Sequence, residues 1–412
     1  MFKGIFKREY YFNRIKGFIK SDLIKVITGV RRCGKSCFMK SIINYLEETG
    51  INKKDIIYIN LDERGYRHIE TDTQLEKMID EKCIDNDYKY LFIDEIQNVK
   101  NFEPLINGYR ESGNFSIFIT GSNSYLLSGE LVTKLTGRYI EIEMFTLNFK
   151  EYIDMKKEYG KTVDTNIYKE LENYIINGGF PQTIEFSNVK DKELYIKDVI
   201  NQIIKKDIKK HNKIKNTLVF EKVLTYFINN FGATTNLNNI LNYLKNEAKI
   251  AIKPQTLYRY LEIIENSKLI YRCNRFDLKS KKSLKGEQKY YLADLSICYG
   301  MNIDKRINYG PALENILYTY LSSKGYDLSI GKIGNLECDF ITRNSTDYFY
   351  IQVAMSIADK NTEEREYNVF KNIKDNYPKY LFTLDPLPQQ RDGIKHKNLV
   401  EFILNDDSLQ ST

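Results

Sequence analysis

Gly29, Gly34, Lys35 and Ser36 stand in a glycine-rich loop, GVRRCGKS, directly behind the apolar run IKVIT at Ile24–Thr28. That spacing suits a phosphate chain. The glycines let backbone N–H groups crowd the anion, the lysine reaches the outer phosphates, and the serine hydroxyl ligates Mg²⁺. Arg31, Arg32, Cys33 and Cys37 fill the rest of the loop and the turn behind it, and count with them as nucleotide-binding positions. Further along, YLFIDEIQ at 90–97 ends an apolar run in two adjacent carboxylates. Asp94 is placed to hold the metal through water, and Glu95 to polarise the attacking water as general base. The second acid points to ATP hydrolysis rather than to a switch of the small-GTPase type. A third apolar run, Phe115–Thr120, ends in Gly121-Ser122-Asn123-Ser124. Ser122 or Asn123 is expected to sense the γ-phosphate, Asn123 having the two-sided amide; a plain turn of the same composition is the alternative. Arg138, in Thr136-Gly137-Arg138, is either a finger reaching a neighbouring subunit's γ-phosphate or the partner of a local acid.

These groups need a scaffold that brings several strand tips to one edge. The runs at 24–28, 56–61, 90–94 and 115–120, with the strand-like YIEIEMF after Arg138, are apolar enough for strands covered on both faces. Asp62 and Glu63 follow the second of these runs, where they either flank the site or cap a turn.

The chain's 412 residues allow two or three domains with sizeable cores, and 42% hydrophobic with 28% charged residues is ordinary globular composition. No run approaches the length of a membrane span, and the N-terminus lacks the apolar stretch of a secretory leader. Six cysteines with no CxxC pair and only three histidines argue against zinc and for reduced thiols in the cytoplasm. Cys33 is expected to have no redox role.

Net charge is +7, but residues 201–289 hold 19 Lys/Arg against 7 Asp/Glu, leaving the remainder at −5. Such a segment fits a polyanion. Within it, apolar residues recur at helical spacing in LVFEKVLTYFI, LNNILNYL and PQTLYRYLEIIENSKLI, followed by two strand-like runs around a lysine-rich turn. Three helices and a hairpin is the winged-helix layout. Gln255, Thr256, Tyr258 and Arg259 open the third helix as candidate base or backbone contacts, and Lys279, Lys281, Lys282 and Lys285 form the wing as candidate phosphate contacts. The run KKDIKKHNKIK at 205–215 is a second basic track. An interdomain scaffold with solvated lysines is the competing account.

The set IKVITGVRRCGKS, YLFIDEIQ, ITGSNSYLLS and LTGRY, continued by NFKEY, GGFP, ECDFI and YIQV, resembles a bacterial and archaeal family of AAA+-like P-loop ATPases over residues 5–403. The resemblance implies an αβα sandwich with an inserted catalytic-glutamate strand, a small helical lid, a winged helix, and a C-terminal domain like a degenerate PD-(D/E)XK nuclease. The expected architecture is therefore α/β: a P-loop ATPase domain over 1–150, a helical lid or linker over 151–215, a winged-helix-like domain over 216–300 and a small α/β nuclease-like domain over 301–412. In that last domain a helix at Pro311–Ser323, strands at 326–330, 337–342 and 348–353, a helix from Glu363 to Asn376 and a strand KYLFTL follow the nuclease order. Glu314 and Asp339 fit two acidic positions of such a site, whereas Gln352 replaces the second acid and Ala354 replaces the lysine. Lys371 or Lys374 could restore a displaced lysine, but the substitutions argue for a fold kept for binding or dimer contacts. The sequence thus points to a Mg²⁺-dependent ATPase that couples nucleotide state to DNA. The alternatives are an ATP-dependent nuclease and a slow ATP switch that recruits a protein partner. Homo-oligomerisation is compatible with all three.

Overall fold

The computed structural model describes the chain apart from residues 1, 86, 122–136, 210–211, 213, 278–281, 303, 334–335, 344–347 and 411–412. It divides into two units, Met1–Thr146 with Asn266–Lys268, and Leu147–Glu265 with Leu269–Thr412. All six cysteines are free thiols, and no helix among the described residues is long and apolar enough to cross a membrane.

The first unit is built on five strands: β1 Ile24–Thr28, β2 Ile56–Asn60, β3 Lys89–Asp94, β4 Phe115–Thr120 and β5 Tyr139–Glu143. They pair in parallel in the order β2-β3-β4-β1-β5. Every residue of β1 and of β3 is buried. That is the pattern of central parallel strands with both faces covered, and it explains why those runs lack alternation. The covering helices are α1 Glu9–Lys16, α2 Lys35–Glu48, α3 Asp72–Lys82 and α4 Phe102–Glu111. α3 is stopped at its start by a capping box in which Thr71 and Gln74 satisfy each other's backbone N–H groups. Because β4 lies between β1 and β3, the loops after β1, β3 and β4 meet at one edge of the sheet, where ligands of open α/β sheets bind.

Lys89 and Asp94 on β3 and Lys25 on β1 are buried charged residues within this sheet. Lys25 is fully buried in β1, where its Nζ donates to the Ser21 carbonyl at 3.1 Å and to Ser116 Oγ at 3.0 Å. It also lies 4.7 Å from the centre of the Phe118 ring. Burial pulls its pKa from 10.5 down to about 7, with Asp22 opposing. Between those two values the unfolded chain holds a proton that the folded chain has shed, so stability must rise with pH across the window. We expect the urea midpoint to increase from pH 7 to pH 10 and Lys25→Met to flatten that rise; equal slopes in the two proteins would contradict the assignment.

The second unit begins with α5 Phe149–Glu158, α6 Ile167–Asn177 and α7 Val189–Gln202, which runs into a π-helical segment at Ile203–Lys209. After α6 the chain turns through Gly178, at φ 75°. A Cβ there would stand 1.9 Å from Asp294 Oδ1, while Asp294 Oδ2 accepts the Gly179 N–H at 2.8 Å. The GGFP sequence is therefore a packing requirement. Three helices follow, α8 Thr217–Asn229, α9 Leu237–Asn246 and α10 Pro254–Asn266, then an antiparallel hairpin of β6 Ile270–Asp277 and β7 Lys282–Leu292. Next come α11 Ser296–Met301, α12 Tyr309–Ser323, β8 Asp327–Ile333, β9 Leu336–Arg343, β10 Tyr348–Val353, α13 Lys360–Lys371, β11 Lys379–Thr383, β12 Ile394–Asn398 and α14 Leu399–Leu404.

The hairpin is not separate from the C-terminal strands. β6 pairs in parallel with β8, and a seven-stranded sheet runs in the order β12-β11-β10-β9-β8-β6-β7. The segments expected as 216–300 and 301–412 therefore share one sheet. α13 starts three residues before the expected Glu363, because Asp359 caps it by accepting the Thr362 N–H, and it ends at Lys371, short of Asn376.

Candidate functional site

The loop between β1 and α2 follows from two backbone demands. Gly29 has φ 138°, and a Cβ there would lie 2.1 Å from the Met144 carbonyl oxygen, so the loop passes too close to the chain after β5 for any side chain. Gly34, at φ 107°, is the N-cap of α2 and offers no side chain to that helix's first N–H groups. Those donors face the loop of a 14-residue helix, an arrangement suited to an anion. Lys35 is 4% exposed, and its Nζ donates to the Gly29 and Val30 carbonyls at 2.9 and 3.2 Å. Ser36 follows it in the first turn of α2, as does Cys37, which is exposed, while Cys33 is buried. Arg32 sits at φ 69° with its side chain exposed, and Arg31 is half-buried.

β3 delivers Asp94 to the same edge. Asp94 is 1% exposed; Thr120 Oγ1 donates to its Oδ1, and the Tyr58 hydroxyl donates to its Oδ2 at 3.2 Å. Glu95 leaves the strand in the left-handed region, at φ 62°. Its N–H donates to Thr120 Oγ1 at 3.0 Å, and its Oε2 accepts from Gln97 Nε2 at 2.5 Å. A strained non-glycine residue at this point fits a group held for chemistry. Burial raises the Glu95 carboxyl above its ordinary range; the nearby cations Lys35 and Arg31 oppose the rise, and Asp94 adds to it. A carboxylate whose proton affinity is raised is the better general base.

Three residues of this arrangement were not singled out from sequence. Thr120 ties Asp94 and the Glu95 backbone together, Tyr58 holds the far oxygen of Asp94, and Gln97 holds Glu95. Thr120 had a legible signal, a polar residue closing an apolar strand just before Ser122. Ser122 and Asn123 themselves lie outside the described residues. Asp62 and Glu63 belong to an exposed turn after β2 in which Asn60 accepts the Asp62 N–H and donates to Glu63, and Asn98 donates to Asp62. Arg138 lies at the start of β5, its carbonyl accepting the Ile24 N–H at 2.9 Å, so it stands at the opposite end of the sheet from Gly29–Ser36. Its guanidinium donates to Asn107 Oδ1 at 3.2 Å and lies 4.0 Å from Glu111.

On α10, Leu257, Tyr260 and Leu261 are buried while Gln255, Tyr258 and Arg259 are exposed and Thr256 is half-buried. Lys279 and Lys281 lie outside the described residues. Lys282 and Lys285 are on β7, with side chains likewise outside them.

The second unit also brings Glu314 from α12, Asp339 from β9 and Gln352 from β10 to one cavity of about 650 Å³, lined as well by Glu337, Ala354 and Glu366. Arg365 also lines the cavity and pairs with Glu366 at 2.8 Å, and Arg275 lies 3.9 Å from Glu337, but the cation among Glu314, Glu337 and Asp339 that sequence reasoning passed over is Lys289 of β7. Its Nζ is 2.9 Å from Glu314, 3.0 Å from Glu337 and 3.6 Å from Asp339. Burial works against that charge, but Asp339, Glu314 and Glu337 hold the ammonium's pKa above its ordinary value. Lys371 and Lys374 are exposed and do not line the cavity.

An AAA domain family matches residues 21–153, and a domain of unknown function matches residues 168–306. An uncharacterized protein of Haemophilus influenzae is 35% identical over 408 residues, covering 98% of this chain and 100% of that one. The chain belongs to that protein's family. An uncharacterized protein of Methanocaldococcus jannaschii is 33% identical over 362 residues, covering 85% of this chain and 79% of its own length. Among solved structures, a Walker-type ATPase of Pyrococcus abyssi is similar with a TM-score of 0.52 at 15% identity, covering 71% of this chain and 94% of that one. That likeness concerns the fold. The strands β1–β5, the loop after β1 and the acids after β3 lie within the residues matched by the AAA domain family, and the parallel α/β fold is consistent with a P-loop ATPase domain.

Proposed function

We propose that the protein is a Mg²⁺-dependent ATP hydrolase whose nucleotide cycle acts on a DNA-contacting helix–hairpin module. The observation that carries the hydrolytic half is the tie through Thr120, which sets Asp94 and Glu95 side by side at the sheet edge occupied by Lys35. The residues fit MgATP. The uncapped first turn of α2 and the side-chain-free passage at Gly29 suit phosphate, Lys35 would meet the outer phosphates, and Ser36 and Asp94 would hold the ion. The ion's contribution when bound is to neutralise charge on the phosphates. Glu95, fixed by Gln97, takes a proton from the attacking water. Ser122 or Asn123 supplies the polar contact to the γ-phosphate. Arg138 faces away from its own loop, so any catalytic part it plays is on a neighbouring copy, in a homo-oligomer.

The DNA half is supported by the charge of residues 201–289 and by the exposed Gln255, Tyr258 and Arg259 on α10, the third helix before the hairpin, in a winged-helix-like arrangement. Replacing Arg259, Lys279, Lys281, Lys282 and Lys285 by alanine is expected to weaken duplex binding and to flatten the dependence of log affinity on log salt, by about one in slope for each phosphate that a removed cation had neutralised. An unchanged slope would remove the module from DNA and favour a protein partner instead. The cavity of Glu314, Asp339 and Gln352 is read as a degenerate PD-(D/E)XK-like cleft. It is given no cutting role, because Ala354 stands where the catalytic lysine would be.

A further inference from the structure

The cleft between α12, β9 and β10 is organised around a charge of its own. Lys289 leaves only 6% of its side chain exposed and directs its ammonium at carboxylates from two other elements, Glu314 of α12 and the pair Glu337 and Asp339 of β9. An ammonium has three donors and no acceptor, so it can serve Glu314 and Glu337 at contact distance while facing Asp339. Other donors share these carboxylates: the Glu314 Oε2 that meets Lys289 also accepts the Tyr291 hydroxyl at 2.9 Å, Asp339 Oδ2 accepts the Val353 N–H at 2.9 Å, and Glu337 Oε2 accepts from Thr234 at 3.3 Å. Gln352, the neutral residue at a ligand position, is turned away from that duty. Its Oε1 accepts the Asp339 N–H at 2.7 Å, and its Nε2 donates to Glu366 Oε2 at 2.8 Å.

The nuclease resemblance implies a divalent ion here, and these residues do not fit one. Mg²⁺ would have to draw oxygens in to about 2.0–2.1 Å around one point, and the point on which these three acids converge is already taken by an ammonium at 2.9–3.6 Å. Adding a second cation would set it against a buried like charge. Withdrawing Lys289 to make room would leave a buried ammonium unpaired.

We infer that Lys289 is the resident cation at the point where Glu314, Glu337 and Asp339 converge, and that it keeps divalent metal ions out of that point. The nuclease-like site is thereby turned into a fixed ionic tie that joins the hairpin strand β7 to α12 and β9. The tie is independent of the ATPase assignment and stands if that assignment fails.

The test is Mn²⁺ titration of the full chain without nucleotide, followed by calorimetry. It is made in a Ser36→Ala/Asp94→Ala background so that the P-loop edge takes up no ion. The chain with Lys289 intact is expected to show no saturable uptake below about 1 mM. Lys289→Gln is expected to create a site at least tenfold tighter than that limit, which a further Asp339→Asn abolishes. Saturable uptake by the intact cleft that Asp339→Asn removes would overturn the inference, as would a folded Lys289→Gln protein that gains no site. Should Lys289→Gln fail to fold, the comparison of the intact cleft with Asp339→Asn alone still decides.

Discussion

Replacing Lys35 by alanine is expected to lower ATP affinity by roughly two to four orders of magnitude while leaving the fold intact. Each hydrogen bond from a charged donor contributes about 1.5–3 kcal/mol, and a P-loop lysine reaches two phosphates, so the loss is on the order of 3–6 kcal/mol. Without a ligand the Lys35 ammonium is held by two loop carbonyls, at Gly29 and Val30. Those carbonyls lie in a loop whose course is set by Gly29 packing against Met144, so they stay in place when the ammonium is removed. Titration of a fluorescent ATP analogue, with circular dichroism as the check on folding, measures the effect. Equal affinity in the wild type and Lys35→Ala would remove the phosphate-binding assignment of the loop.

Glu95→Gln is expected to separate binding from turnover. The amide keeps the size of the side chain but cannot accept a proton from water, and a positioned general base contributes about 10²–10⁴-fold to rate. ATP affinity should stay within a few-fold of the wild type, because Lys35, Ser36 and the first turn of α2 are untouched. Turnover should fall by at least two orders of magnitude, leaving ATP trapped on the protein. Single-turnover measurement resolves the two effects. A Glu95→Gln protein that hydrolyses at the wild-type rate would transfer the base role elsewhere.

Much of the first unit was legible in the sequence because its central strands β1, β3 and β4 are short apolar runs buried on both faces, each leading into a segment with a chemical task. Ile24–Thr28 before the glycine loop and Lys89–Asp94 before Glu95 are such cases. Thr120, Tyr58 and Gln97 escaped because their roles come from hydrogen bonds across neighbouring strands, which linear spacing does not encode. In the second unit, the helices α8–α10 and the hairpin followed from helical periodicity and the lysine-rich turn. The merging of that hairpin with the C-terminal strands did not, since the pairing of β6 with β8 joins residues more than fifty positions apart. β12, IKHKN, carries two lysines and an asparagine and reads as polar chain; it becomes a strand only by pairing with β11, and its His396 is buried against Thr383. Lys289 was hidden among wing lysines that look alike in sequence, although the alternation Lys289-Tyr290-Tyr291 puts it on one face with Tyr291, the residue that shares Glu314 with it.

The measurement that bears most directly on the central claim is steady-state phosphate release from ATP and Mg²⁺, with and without duplex DNA at low salt, using Glu95→Gln as the blank. Turnover above that blank, increased by DNA and no longer increased when Arg259 and the wing lysines are replaced, is the predicted result. Release no greater than that of Glu95→Gln, with DNA present or absent, would contradict it.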